Sequence, residues 1–298
     1  MELEITENSY VIQPVVISRA IYNMPTMVRR LIFIAVYSVQ VSRPAEMVFT
    51  TGLHDLALLF GFNKTKRYKE IKNAIDLASK QVLRFEKEDG GITEWMPWLT
   101  YCRLDLKTNT VAAHINPNLY EYVLAIRTNE GFSILFLCDL LKIESRYACK
   151  WFEIINSRSG HANEEGHFFV HPYTMDEIKT LFVLDKKKYK TKDFRENVID
   201  KPIKEINDKK LGFHIFAEYT HKNKKLVAVK LLCRFDKRGN GQMPFAYYIS
   251  RHPKEYLACF NDAKKSLEVR KYKDQKSYDF ALTRKALELL KGRPPNEK

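Results

Sequence analysis

One order of segments occurs twice in this chain, and that repetition limits its folds more than any other feature. From residue 24, Val28, Leu31, Ile32, Ala35 and Val39 recur at helical spacing behind Pro25, which stands near the first turn, where its missing N–H costs little. "EMVFTT" (46–51) alternates like a short strand, and "TGLHDLALLFGF" (51–62) is a second apolar helix. A third helix runs through "NKTKRYKEIKNAIDLASKQVLRFEK" (63–87), with Tyr68, Ile71, Ile75, Ala78 and Val82 on one face. "WLTYCRLDL" and "TNTVAAHIN" then read as two strands of a β-hairpin. The same order returns as a helix (145–158), a short strand (167–172), and a helix (174–184) with Thr174 and Glu177 at capping-box spacing. A third helix beginning near 191 and a hairpin (213–235) with "HKNKK" at its tip complete the second copy. Identity between the copies is low, but elements and basic positions coincide, so a duplicated module is the economical reading.

The rest of the chain is assigned around these copies. Residues 1–23 read as an N-terminal extension, and 116–144 as two packed helical segments broken near "RTNEG" (127–131). The expected domains are therefore 24–128 and 129–250, followed by a basic, weakly helical tail at 251–298.

Helix, strand, helix, helix, hairpin is the winged-helix order. The expected fold is α+β: two tandem winged-helix domains, each a helix-turn-helix with a β-hairpin wing. The third helix of such a unit lies in the DNA major groove, and basic residues stand there in both copies. In the first these are Lys64, Lys66, Arg67, Lys69 and Lys72, with Asn73. In the second they are Lys187, Lys188, Lys190 and Lys192 around Tyr189, with Lys222, Lys224 and Lys225 at the wing tip. The chain carries a formal net charge of +14 over 298 residues, which favours a polyanionic partner. A single lysine run is usually just a solvated face; two at equivalent places in a repeated DNA-binding pattern argue for duplex DNA.

Facing divides the roles. Phe194, Val198, Ile199, Ile203 and Ile206 form the expected buried stripe of the second recognition helix. Arg195 and Asn197 are then the base-reading candidates, because Arg matches guanine and Asn adenine bidentately. The lysines are expected on phosphates. Pro202 removes a hydrogen bond to Val198 and should bend the helix beyond its reading end, leaving Arg195 and Asn197 undisturbed.

Chemistry finds no foothold. "DGG" and "RGNG" are turn signals rather than a nucleotide-binding loop, and no spacing singles out a nucleophile triad. His167 and His171 share a strand face but sit too far apart along it for a metal pair without further ligands. The expectation is no catalytic residue, no metal and no cofactor: a protein that is not an enzyme. The five cysteines are odd in number and lack a CxxC spacing, so reduced thiols are expected. The longest apolar run, 31–39, is about half of a bilayer span. No membrane contact and a cytoplasmic location are expected.

Four stretches resemble the iteron-binding replication initiators of bacterial plasmids. They are "VRRLIFIAV" (28–36), "INPNLYEYVLAI" (115–126), "KIESRYACKWFEIINS" (142–157) and "DFRENVIDKPIKEIN" (193–207). The last, with its Phe, Val, Pro and Glu-Ile-Asn, is the strongest. The resemblance covers about 20–235 and leaves the basic tail unmatched. Trp151 stands where an aliphatic residue or tyrosine is more usual. The resemblance implies a protein that binds directly repeated duplex sites at a plasmid origin through both winged helices. It also implies opening of the adjacent duplex and recruitment of a host initiator and helicase. Many such proteins form homodimers through the first module, and the dimer represses the initiator gene. The alternative is a winged-helix transcription regulator with no role in replication.

Overall fold

The computed structural model describes residues 5–6, 9–42, 47–62, 67–86, 93–123, 131–184, 191–244, 246–247, 249, 253–268 and 275–291. The repeated order is present. The first copy runs α2 (Thr26–Ser42), β2 (Val48–Gly52), α3 (Leu53–Leu59), α4 (Arg67–Ala78) and the hairpin β5 (Leu99–Asp105) to β6 (Thr110–Ile115). The second runs α7 (Arg146–Arg158), β8 (His167–Thr174), α8 (Met175–Leu181), α9 (191–208) and the hairpin β9 (Leu211–Lys222) to β10 (Lys225–Arg238). In each copy the short strand pairs antiparallel with the returning strand of the hairpin, giving sheet orders β2-β6-β5 and β8-β10-β9. Shared strand order at negligible identity makes these two tandem winged-helix domains.

Four expectations change. Residues 10–19 are not an extension: β1 (Tyr10–Pro14) is wholly buried and pairs with β7 (Phe132–Phe136), and α1 (Val15–Arg19) follows it. β7 lies where a packed helix was expected. A strand covered on both faces shows no alternation, so a short apolar run such as "FSILF" reads equally well as helix. The second helical segment there is shorter than expected, α6 (Leu137–Lys142), and α5 (Tyr120–Val123) is a single turn. The third helix ends at Ala78, and Val82, assigned to its buried face, begins β3 (Val82–Glu86), which pairs with β4 (Thr93–Pro97) as an additional hairpin. Within α4 itself Tyr68 is exposed, while Ile71, Ile75 and Ala78 are buried as expected. The tail is a helical hairpin, α10 (Pro253–Ser266) and α11 (Gln275–Lys291). It closes on Ala263, Tyr278, Leu282 and Ala286, and joins the main core through Cys259, Leu287 and Leu290.

α7 is the axis of the molecule. Every residue from Tyr147 to Ser157 is buried, so this helix is covered all round. Its polar members are paired. Glu153 takes a 2.8 Å ion pair from Arg29 of α2, and hydrogen bonds from Gln13 Nε2 (3.2 Å) and from the Tyr22 hydroxyl. Lys150 Nζ donates to the Ala20 carbonyl at 2.8 Å and lies 3.7 Å over the Tyr22 ring. Burial pulls the Lys150 ammonium down to about 7. The opening helix of the second winged helix is thus tied to the first winged helix and to the N-terminal segment at once.

Candidate nucleic-acid interface

The recognition segment of the second module starts from a well-made helix-turn-helix. Thr174 and Glu177 form the expected capping box, with the Glu177 amide donating to Thr174 Oγ1 at 3.2 Å and Thr174 N–H to Glu177 Oε2 at 2.7 Å. Phe194, Val198, Ile199, Ile203 and Ile206 are all buried, as the spacing requires, and Pro202 joins them.

α9 is not one uniform helix. Thr191–Phe194 is α-helical, Arg195–Asp200 is a π-helical turn, and Lys201–Asp208 returns to α. Pro202 accounts for the change. It has no N–H to give Val198, and its ring would crowd that carbonyl in an α register. The wider turn relieves the crowding: the Lys201 N–H reaches back five residues to the Glu196 carbonyl. The Val198 carbonyl accepts instead from Trp151 Nε1, at 2.7 Å. A buried carbonyl left without a donor costs about 1–3 kcal/mol, so the unusual tryptophan and the unusual proline answer one another. The expectation that Pro202 leaves the reading end undisturbed is corrected, because the π turn begins at Arg195 itself.

The Glu-Ile-Asn stretch is structural. Glu205 accepts from the backbone N–H of Glu144 (2.6 Å) and Ser145 (3.2 Å), ahead of α7. Ile206 is buried. Asn207 pairs with Ile215 of β9 in both directions, each bond 2.9 Å. The helix end is fixed to the wing strand and to α7 together.

On the outward face, Arg195 Nε donates to Asp200 Oδ2 at 3.1 Å, and the guanidinium lies 4.1 Å over the ring of Tyr219 from β9. The Tyr219 hydroxyl donates to Asp200 Oδ1. Burial, then the Asp200 carboxylate, raises the Tyr219 hydroxyl well above its ordinary range, so it remains a donor. Asn197 is exposed; its Nδ2 donates to the Asp193 carbonyl (2.9 Å) and its Oδ1 accepts from Lys201 Nζ (3.1 Å). Contact through Tyr219 sets this face beside the wing. At the wing tip, Asn223 and Lys224 both take positive φ (52° and 63°), the two-residue turn that matches strand twist. Lys222 and Lys225 are directly opposed across the hairpin, and with Lys224 they are exposed. Like charges held opposite one another cost a few tenths of a kcal/mol, roughly, and gain from an anion between them.

In the first module, Lys69, Lys72 and Asn73 lie exposed along α4, opposite the buried Ile71, Ala74, Ile75 and Ala78. Arg67 begins that helix, and Lys192 lies in the first turn of α9. Lys64, Lys66, Lys187, Lys188, Tyr189 and Lys190 lie outside the described residues. Asp200 and Tyr219 escaped the sequence reading, and Trp151 stood out there only as a departure from the family pattern. The proline inside a helical pattern was the signal for a local change of register, but its partners come from α7 and β9. Among the described residues, no cluster of three His, Cys, Asp or Glu could hold a metal, and no helix is long and apolar enough to cross a membrane.

Two winged helices joined through a shared buried helix, each with basic residues on its third helix, define a tandem winged-helix protein. The chain belongs to the initiator replication protein family: the family's first winged-helix model matches residues 10–156 and its second matches residues 174–232. The first match begins where β1 begins, at Tyr10, and takes in nearly all of α7. Among solved structures the chain is similar to the Pi initiator protein in complex with iteron DNA. That likeness has a TM-score of 0.61 at 16% identity and covers 78% of this chain and 99% of that one. Domains 2 and 3 of RctB match with a TM-score of 0.45 at 14% identity, covering 79% of this chain and 95% of that one. No curated protein matches.

Proposed function

We propose that this protein initiates plasmid replication by binding directly repeated duplex sites at an origin with both winged helices. The observation that carries the proposal is the family match across both domains, joined to an outward face that combines Arg195, Asn197 and the lysines of the wing tip. The fold likeness to an initiator solved with iteron DNA supports the same reading. In this reading the second module (129–250) is the main reader, the first (24–128) adds DNA contacts and a dimer surface, and the basic C-terminal hairpin supplies further positive charge. Lysines neutralise phosphates and set affinity; Arg195 and Asn197 supply sequence preference. Bound protein assists opening of adjacent duplex and recruits a host initiator and helicase, and a dimeric form represses its gene. Its chemistry is that of binding alone, with no strand cleavage or nucleotide hydrolysis, in the cytoplasm.

Band-shift titration on duplexes carrying the direct repeats of its own origin tests the core of this. Tight binding is expected there, at least about a thousandfold above random duplex at physiological salt. Equal affinity for both would reject it. A replication assay with the gene deleted separates an initiator from a transcription regulator, since the plasmid is lost only in the first case. Incubation of supercoiled origin DNA with magnesium or manganese should leave every strand intact.

A further inference from the structure

In an ordinary α-helix, residues five apart point roughly 140° away from each other. Arg195 and Asp200 are five apart, yet they form an ion pair of 3.1 Å; Glu196 and Lys201 are also five apart and pair at 2.8 Å. Both pairs exist because the π turn brings residues i and i+5 onto one face. The register forced by Pro202 and stabilised by Trp151 therefore has a consequence at the surface. It fixes a guanidinium that would otherwise be a long, mobile cation. Asp200 occupies Nε, Tyr219 supports the flat face of the group, and the Tyr219 hydroxyl holds Asp200 in turn. The Arg195 side chain stays 45% exposed, so a guanidinium held in place remains accessible for the forked contact that arginine makes with guanine O6/N7.

We propose that Asp200, held by Tyr219, is the positioning residue that determines how well Arg195 discriminates DNA sequence. The proposal rests on the reading of Arg195 as a base contact and adds a mechanism to it. A mobile arginine pairs with any phosphate it reaches, and phosphates are the same in every sequence. Asp200 opposes that in two ways. Its carboxylate repels phosphate close to Arg195, and its hydrogen bond removes the rotamer freedom that backbone pairing needs. A preorganised fork loses less entropy on meeting the right base and cannot swing to compensate for a wrong one.

The test uses the full chain and two probes: the duplex sequence that the wild-type protein enriches from a randomised pool, and a scrambled duplex of equal length. The readout is the ratio of the two affinities. Asp200→Asn, which keeps shape and loses charge, should lower that ratio by about tenfold. Tyr219→Phe, which keeps the ring but not the hydroxyl, should lower it by a smaller factor. In an Arg195→Ala background, Asp200→Asn should change the ratio by less than about twofold, because its action passes through Arg195. A general charge effect would persist in that background. Urea unfolding identifies any variant that fails to fold; if Asp200→Asn does, Tyr219→Phe in both backgrounds carries the same comparison. An unchanged ratio for Asp200→Asn, or an equal loss with and without Arg195, would overturn the proposal. Arg195→Ala leaving the ratio intact would instead overturn the base-contact reading beneath it.

Discussion

At the scale of single residues, the proposed function divides the outward face into side chains that read and side chains that attract. Arg195→Ala should relax sequence preference, whereas Lys188→Ala or Lys224→Ala should weaken all sequences alike and flatten the salt slope by about one unit; titrations at several salt concentrations distinguish them. Trp151 has a different task. Trp151→Phe keeps an aromatic ring beside Phe182 and Tyr173 but withdraws the donor from the Val198 carbonyl. A loss of about 1–3 kcal/mol in urea unfolding is expected. Pro202→Ala in that background restores an N–H four residues after Val198 and should recover part of the loss. If the two substitutions are simply additive, the proline and the tryptophan are not coupled. The exposure of Arg195 and Asn197 was legible in the sequence from helical spacing, and that of the wing lysines from their place at a hairpin tip. Asp200 and Tyr219 were not, because their meaning depends on a π register and on a neighbouring strand.

At the scale of elements, periodicity identified the amphipathic helices and missed several of the short strands. α8 and the apolar stripe of α9 follow their spacing, and the capping box at Thr174 has both of its hydrogen bonds. Thr174→Ala should cost about 1 kcal/mol, read as a lower urea midpoint, with little change in DNA sequence preference. β1 and β7 give no such signal. Buried along nearly their whole length, they lack the apolar–polar alternation that marks a strand. Val82–Glu86 was absorbed into the preceding helix because Val82 fell on the extrapolated apolar face; instead it is exposed, and Leu83 and Phe85 are the inward residues of a strand.

At the scale of the whole molecule, the two winged helices are joined by polar groups that share one buried site. Glu153→Gln leaves Arg29 buried without its carboxylate and should cost about 3–5 kcal/mol in unfolding experiments. Lys150 gives the same region a pH signature. Its folded pKa, about 7, lies below the ordinary 10.5, so between those values the unfolded chain binds more protons and stability rises with pH. The urea midpoint should therefore climb from pH 7 toward pH 9, and Lys150→Met should flatten the climb. A parallel slope in both proteins would remove Lys150 as its source. The sequence by itself determined the duplicated winged-helix order, the basic third helices, the wing tip and the family resemblance. All of these rest on local spacing and composition, which a single stretch of chain carries. Only the tertiary structure decided that residues 10–14 complete a sheet with 132–136, that the tail closes on the core as a helical hairpin, and that a tryptophan from α7 sustains the turn presenting Arg195. Those are contacts between segments far apart in the chain. Their energy comes from burial and from satisfying particular polar groups, and neither is defined until the partners have met.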